Sequence, residues 1–232
     1  MKPGADQDSL RHLSSGLEVV SVLTSVLVIT WGLAALAPRL RWLMAVPLLL
    51  SAGLMIHSHW WRGESVEQLG LTGRHFRAAC RRLALPMSLG VLALVWVGMK
   101  SDMLLTTERL YRPLLPLIAS GLAQQYLLQS FIHRRISQTI GAIDENGHLR
   151  QSAAAVVLTA SCFALIHLPN LTLTILTFGA GLVWSWVYQR SPNILAIGIS
   201  HGLMSLLVIN TLPPWMLDSL SVGYKHFLYQ KF

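Results

Sequence analysis

The sequence predicts an all-α membrane protein: a polytopic bundle of about seven transmembrane helices with one interfacial amphipathic helix. Three observations carry that reading. The 232-residue chain is 53% hydrophobic and 12% charged, with a mean hydropathy of +0.52, whereas a soluble domain carries roughly a quarter charged residues. The missing charges are those that would face water. Apolar runs of the length a bilayer demands, roughly 17–22 residues, recur along the chain. Lys and Arg gather in the short segments between those runs, where membrane topology places them.

Taken in order, the spans are expected at 17–37, 43–61, 83–100, 114–133, 152–169, 171–189 and 193–212. Residues 1–16 form a polar N-terminal segment without the pattern of a cleaved signal peptide. Residues 17–212 read as a single transmembrane domain and 213–232 as a C-terminal tail. Pro47 and the terminal Pro169 do not exclude their spans, because neighbouring helices can satisfy the freed backbone groups. Between the second and third spans, 69-LGLTGRHFRAACRRL-83 sets apolar residues among arginines at helical spacing. That pattern suits a helix lying among lipid headgroups. His57, His59, Trp60 and Trp61 suit an interfacial aromatic belt, and 144-DENG-147 is a turn between spans. Cys80 and Cys162 make no CxxC pair and imply no disulfide.

The net charge of +8 does not point to nucleic acid, since the basic residues flank the spans. Eleven of the 18 fall on the side of the N-terminus and seven on the other. The bias places the N-terminus in the cytoplasm.

Polar residues inside spans are costly and usually face protein or a wet cavity. The fourth span holds Gln124, Gln125 and Gln129; the fifth, in 161-SCFALIHLPN-170, holds His167; the seventh, in 198-GISHGLMSLL-207, holds His201 and Ser205. Positions four apart share a helix face, so Gln125 aligns with Gln129, Phe163 with His167, and His201 with Ser205. Three stripes that converge make one buried polar pocket; three that do not are separate interhelical contacts, each worth about 1 kcal/mol. None of the chain's ten acidic residues lies within a span except Glu18, at the edge of the first.

The region 118–206 resembles the CPBP family of intramembrane proteases, which includes the CAAX prenyl endopeptidases and bacteriocin-immunity relatives. The string 163-FALIH-167 matches that family's FxxxH motif, 167-HLPN-170 continues it, and 178-FGAGLVWSWVYQRSPNILAIGISHGLMS-205 resembles its Gly-rich span and closing His helix. Alignment on the two histidines sets Gln124 and Gln125 where the family carries paired glutamates, Gln129 where it carries arginine, and Ser205 where it carries asparagine. The resemblance implies an intramembrane endopeptidase, with a protease-like core at 114–206. It would cut a membrane-anchored or C-terminally processed protein in a bacterial inner membrane. His167, His201, Gln124 and Ser205 would then be catalytic, with Gln125, Gln129, Phe163 and Asn170 binding substrate. A neutral amide cannot act as the general base that a carboxylate would be. The alternative is therefore a catalytically inactive pseudoprotease that binds hydrophobic segments or serves as an immunity or chaperone-like membrane protein. No cofactor is expected: His167 and His201 could offer zinc two imidazoles, but a catalytic zinc takes three protein ligands, and His133 at the basic end of its span is expected among headgroups. A transporter is disfavoured by the lack of an inverted repeat.

Overall fold

The structure is a computed structural model that describes residues 5–36, 38–103, 113–217 and 220–229. Helix α1, Ala5–Leu27, runs on through a π-helical turn and a short 3₁₀ turn to Ala35. A further 3₁₀ segment leads into α2, Ala45–Trp61, and a turn-rich loop leads to α3, Phe76–Lys100. Helix α4 has three consecutive pieces: α-helical Leu114–Gln125, π-helical Tyr126–His133 and α-helical Arg134–Thr139. Then come α5, Ala153–Leu165, α6, Leu171–Tyr188, and α7, Ile194–Thr211. Two short helices close the described chain, α8, Pro214–Leu217, and α9, Tyr224–Tyr229.

The starts of α5, α6 and α7 are written in the sequence. Ser152 Oγ accepts from Ala155 N at 3.2 Å, Asn170 Oδ1 from Leu173 N at 3.1 Å, and Asn193 Oδ1 from Ala196 N at 2.8 Å. Each cap satisfies one of the amide donors that a helix start leaves without a partner.

Burial is inverted relative to a water-soluble protein. Leu85 is 70% exposed and Leu115 76%, whereas Gln125, Gln129 and Arg135 are 0% exposed. Leucines outside and amides inside are what a hydrocarbon solvent imposes. Among the described residues, five helical segments are long and apolar enough to cross a membrane: His12–Ala35, Trp42–Trp61, Phe76–Lys100, Leu171–Tyr188 and Ile194–Thr211. The protein is an integral membrane protein. The fourth expected span is α4, whose glutamines dilute its hydropathy. The fifth is α5, a 13-residue helix that rises ~20 Å against a hydrocarbon core of ~30 Å. The turn that follows it carries His167.

The segments expected on the N-terminal side do meet at one end. Arg62 bonds to Glu18, Arg134 Nη2 donates to Gly147 O at 2.8 Å, and Ile194 N donates to Gly70 O at 2.8 Å. The tail folds back at the other end, where Gly223 N donates to Leu168 O at 2.8 Å. Of the residues in the charge count, Lys2, Arg109, Arg112 and Lys231 lie outside the described residues.

Three local expectations are corrected. No separate interfacial helix forms over 69–83: its first part is loop, and Arg77, Arg81 and Arg82 belong to the opening turns of α3, continuous to Lys100. His59 is not in an aromatic belt but buried, its Nδ1 donating to Glu64 Oε2 at 2.5 Å. His133 is not among headgroups either; it is fully buried, with Nδ1 2.9 Å from Thr159 Oγ1. Apolar–basic alternation fits the start of a long helix as well as a surface helix, and a histidine's burial depends on partners far away in sequence.

Candidate active site

The site begins with glycine. A Cβ on Gly198 would sit 2.8 Å from Leu122 Cα, one on Gly202 2.7 Å from Ile118 Cα, and one on Gly121 2.6 Å from Gly198 O. The 198-GISHG-202 pattern thus lets the backbones of α4 and α7 touch, as small residues do in membrane bundles. That approach delivers His201 to Gln125.

Gln125 Nε2 lies 3.1 Å from His201 Nδ1. Gln125 Oε1 accepts from Gln129 Nε2 at 3.2 Å, and the same Gln129 nitrogen donates to Ser185 Oγ at 3.2 Å. A buried chain thereby links α4, α6 and α7, and among the described residues Gln129 Oε1 has no hydrogen-bond partner. The π-helical stretch begins at Tyr126, between the two amides; such wide turns often mark functional segments.

The second imidazole comes from the end of α5. His167 Nδ1 donates to Phe163 O at 2.7 Å, and the Phe163 ring lies edge-on to both histidines, 4.9 Å from His167 and 5.7 Å from His201 between centroids. On its other partner, the His201 ring stacks with Trp184 at 4.6 Å and 26°. Trp184 is held in turn by its Nε1, which donates to Ser200 Oγ at 3.0 Å.

These partners assign opposite proton positions to the two rings. A carbonyl only accepts, so His167 carries its proton on Nδ1 and leaves the Nε2 lone pair bare. An amide nitrogen only donates, so with the Gln125 amide turned Nε2-first toward His201, Nδ1 accepts and the ring proton is assigned to Nε2. One ring offers a base and the other a donor.

The structure therefore brings together Gln125, Gln129, Phe163, His167 and His201. Gln124 sits about 100° round the helix from Gln125; its Nε2 donates to Ser120 Oγ at 2.9 Å, and its side chain lines a small apolar cavity with Phe163 and Ile166. Ser205, half-buried, lies one turn beyond His201 on α7. Asn170, whose N donates to His167 O at 3.1 Å, caps α6, and its Nδ2 donates to Leu217 O at 2.8 Å and so ties down the tail. Trp184 and Ser185 were not singled out from sequence; the one available signal was their place in the Gly-rich string ahead of the His helix. Among the described residues no three His, Cys, Asp or Glu side chains gather as a metal-holding group.

Comparison with known families bears directly on this geometry. The model of the type II CAAX prenyl endopeptidase Rce1-like family matches residues 7–207. The chain belongs to that family. No curated protein and no solved structure matches it. The match takes in every helix that shapes the Rce1-like site, from α1 to most of α7. The family is one of proteases, which supports peptide hydrolysis at the level of the family.

A second polar cluster of this Rce1-like protein was not legible as a unit. Glu64 Oε1 accepts from Arg134 Nε at 2.6 Å, Arg135 Nη1 at 2.8 Å and Gln138 Nε2 at 2.9 Å. Arg135 Nε reaches Glu18 Oε2 at 2.7 Å, and Arg62 Nη2 reaches Glu18 Oε1 at 2.8 Å. Burial alone would raise the Glu64 carboxyl; hydrogen bonds from His59 and Arg135 and the charges of Arg134 and Arg135 outweigh it and hold the group well below the usual carboxylate range. The cluster pins α1, α2 and the 62–75 loop to the C-terminal end of α4. Both glutamates are thereby committed to arginines.

Proposed function

We propose that this chain is an intramembrane endopeptidase that cuts a peptide bond of a membrane-anchored or C-terminally processed protein, with His167 as the general base. The observation that carries the reading is the pair of histidines flanking the Phe163 ring, one with Nδ1 on a backbone carbonyl and the other with Nδ1 on an amide. His167 Nε2 takes a proton from water as the water oxygen bonds to the scissile carbonyl carbon. The oxyanion that forms accepts from His201 Nε2–H, with Ser205 as a second donor from the same helix. His167 then passes its proton to the leaving amine as the C–N bond breaks. Gln125 and Gln129 hold His201 in its donor form, and Gln124 offers an amide to the peptide. No step is routed through a metal. The bacterial inner membrane and a cytoplasmic N-terminus complete the reading.

The test incubates the purified protein with candidate membrane-anchored substrates beside His167→Ala and His201→Ala. Both substitutions should abolish cleavage; cleavage untouched by either would overturn the assignment. One observation favours a second reading, a pseudoprotease that captures apolar segments without cutting them. Gln125 and Gln129, at the positions of one family acid and the arginine, form a neutral amide chain, Gln124 bonds Ser120, and Glu18 and Glu64 are engaged elsewhere. Introducing Gln124→Glu with Gln125→Glu separates the two: hydrolysis that appears only in that variant assigns the chain to capture.

A further inference from the structure

Away from the active site, an open groove of about 630 Å³ runs between α3, α5 and α6, within the ~300–1,000 Å³ range of small-molecule sites. Its walls are Leu85, Pro86, Val156, Leu182, Val183 and Trp186, and its mouth carries Arg81 and Arg82. The apolar walls alone would say only that lipid touches the protein there. The arginines say more.

At this end of the bundle Arg62, Arg74, Arg134 and Arg135 each pair with a glutamate, and Arg190 stacks over Trp186 at 4.6 Å while donating to Gln151 Oε1 at 2.6 Å. Arg81 and Arg82 are exposed and, among the described residues, pair with no acidic side chain. They lie five and six residues into α3, a rise of ~8 Å from its start, with Pro86 about one turn deeper. Val156 is near the start of α5 and Trp186 near the end of α6, so the groove descends from the headgroup level into the acyl layer. Guanidinium forks match phosphate oxygens, and basic pockets between membrane helices select anionic headgroups.

We propose that this groove is a specific site for one anionic phospholipid. Its phosphodiester is held by Arg81 and Arg82, and the upper part of one acyl chain lies along the apolar walls from Leu85 to Trp186. The bound lipid touches three helices at once and stabilises their packing by linkage.

The experiment measures thermal unfolding of the full-length protein in a non-ionic detergent as phosphatidylglycerol is added, with native mass spectrometry counting retained lipid. Wild type should gain stability with phosphatidylglycerol and not with phosphatidylcholine or inorganic phosphate. Arg81→Gln with Arg82→Gln should weaken the apparent affinity by about tenfold or more. Val183→Trp, which fills the groove and leaves both arginines, should lose the lipid too. Arg74→Gln with Arg150→Gln, which removes two exposed charges at the same end but outside the groove, should keep it. An equal response to phosphatidylcholine, an undiminished response in the Arg81/Arg82 variant, or an equal loss in the Arg74/Arg150 control would overturn the proposal.

Discussion

Gln125 donates through Nε2 to Nδ1 of His201 across 3.1 Å, inside a site where Gln125 is fully buried. A carboxylate at that position would accept from Nδ1–H instead and leave Nε2 bare. The amide therefore reverses the tautomer that an acid would select, turning His201 Nε2 from acceptor to donor. Nitrogen-15 NMR of the His201 ring should show the proton on Nε2 in the wild type and on Nδ1 after Gln125→Glu. Gln125→Leu should lower kcat by ~10²–10³, the range for loss of an oxyanion donor, with little change in KM. A wild-type ring protonated on Nδ1 would refute the assignment.

His167 is half-buried and held through its own turn, so its removal should be felt in chemistry and hardly in stability. His167→Gln keeps a side chain able to bond Phe163 O but supplies no basic lone pair. Hydrolysis should fall by ~10²–10⁴, the usual contribution of a general base, while the thermal midpoint stays within a few degrees. A variant that unfolds but retains specific activity per folded molecule would place His167 in the architecture instead.

The contact between α4 and α7 is set by glycines that tolerate no side chain. Gly202→Ala would put a methyl 2.7 Å from Ile118 Cα, against backbone that cannot rotate away. The helices must part, at ~1–3 kcal/mol for overpacking, and the Gln125–His201 bond lengthens with them. Thermal unfolding should drop and activity fall together. Gly179→Ala, with nothing within 4 Å of the new methyl, should leave both unchanged.

The sequence carries the parts of this fold that depend on local pattern. Apolar run length locates most of the helices, and four-residue spacing pairs Gln125 with Gln129 and Phe163 with His167, both of which touch in the structure. Motif resemblance points to the histidine pocket and to the protease family. What escapes is tertiary pairing. Arg134 and Arg135 read as loop charges because nothing within a few residues neutralises them; their partner Glu64 lies some seventy positions upstream. His59 and His133 read as interfacial for the same reason. Trp184 looks like one more apolar residue until α7 sets His201 over its ring.

That Arg–Glu cluster makes a pH prediction with a definite sign. Glu64 is almost fully buried, and its carboxyl lies well below the ~4.3 of an unfolded glutamate. Above that value both states are ionised and the stabilisation is fully present. As pH falls through it, the unfolded chain binds a proton that folded Glu64 refuses, so stability declines with acidification, by up to ~1.4 kcal/mol per pH unit for one such group. Asp144 adds its own acid dependence, which the comparison with a Glu64→Gln variant removes. That substitution leaves Arg134 without its carboxylate and Arg135 with only Glu18, a loss of ~3–5 kcal/mol at neutral pH. Its thermal midpoint should be lower at pH 7 and fall less steeply between pH 5 and 3. Parallel slopes for the two proteins would show that Glu64 titrates alike in the folded and unfolded chains.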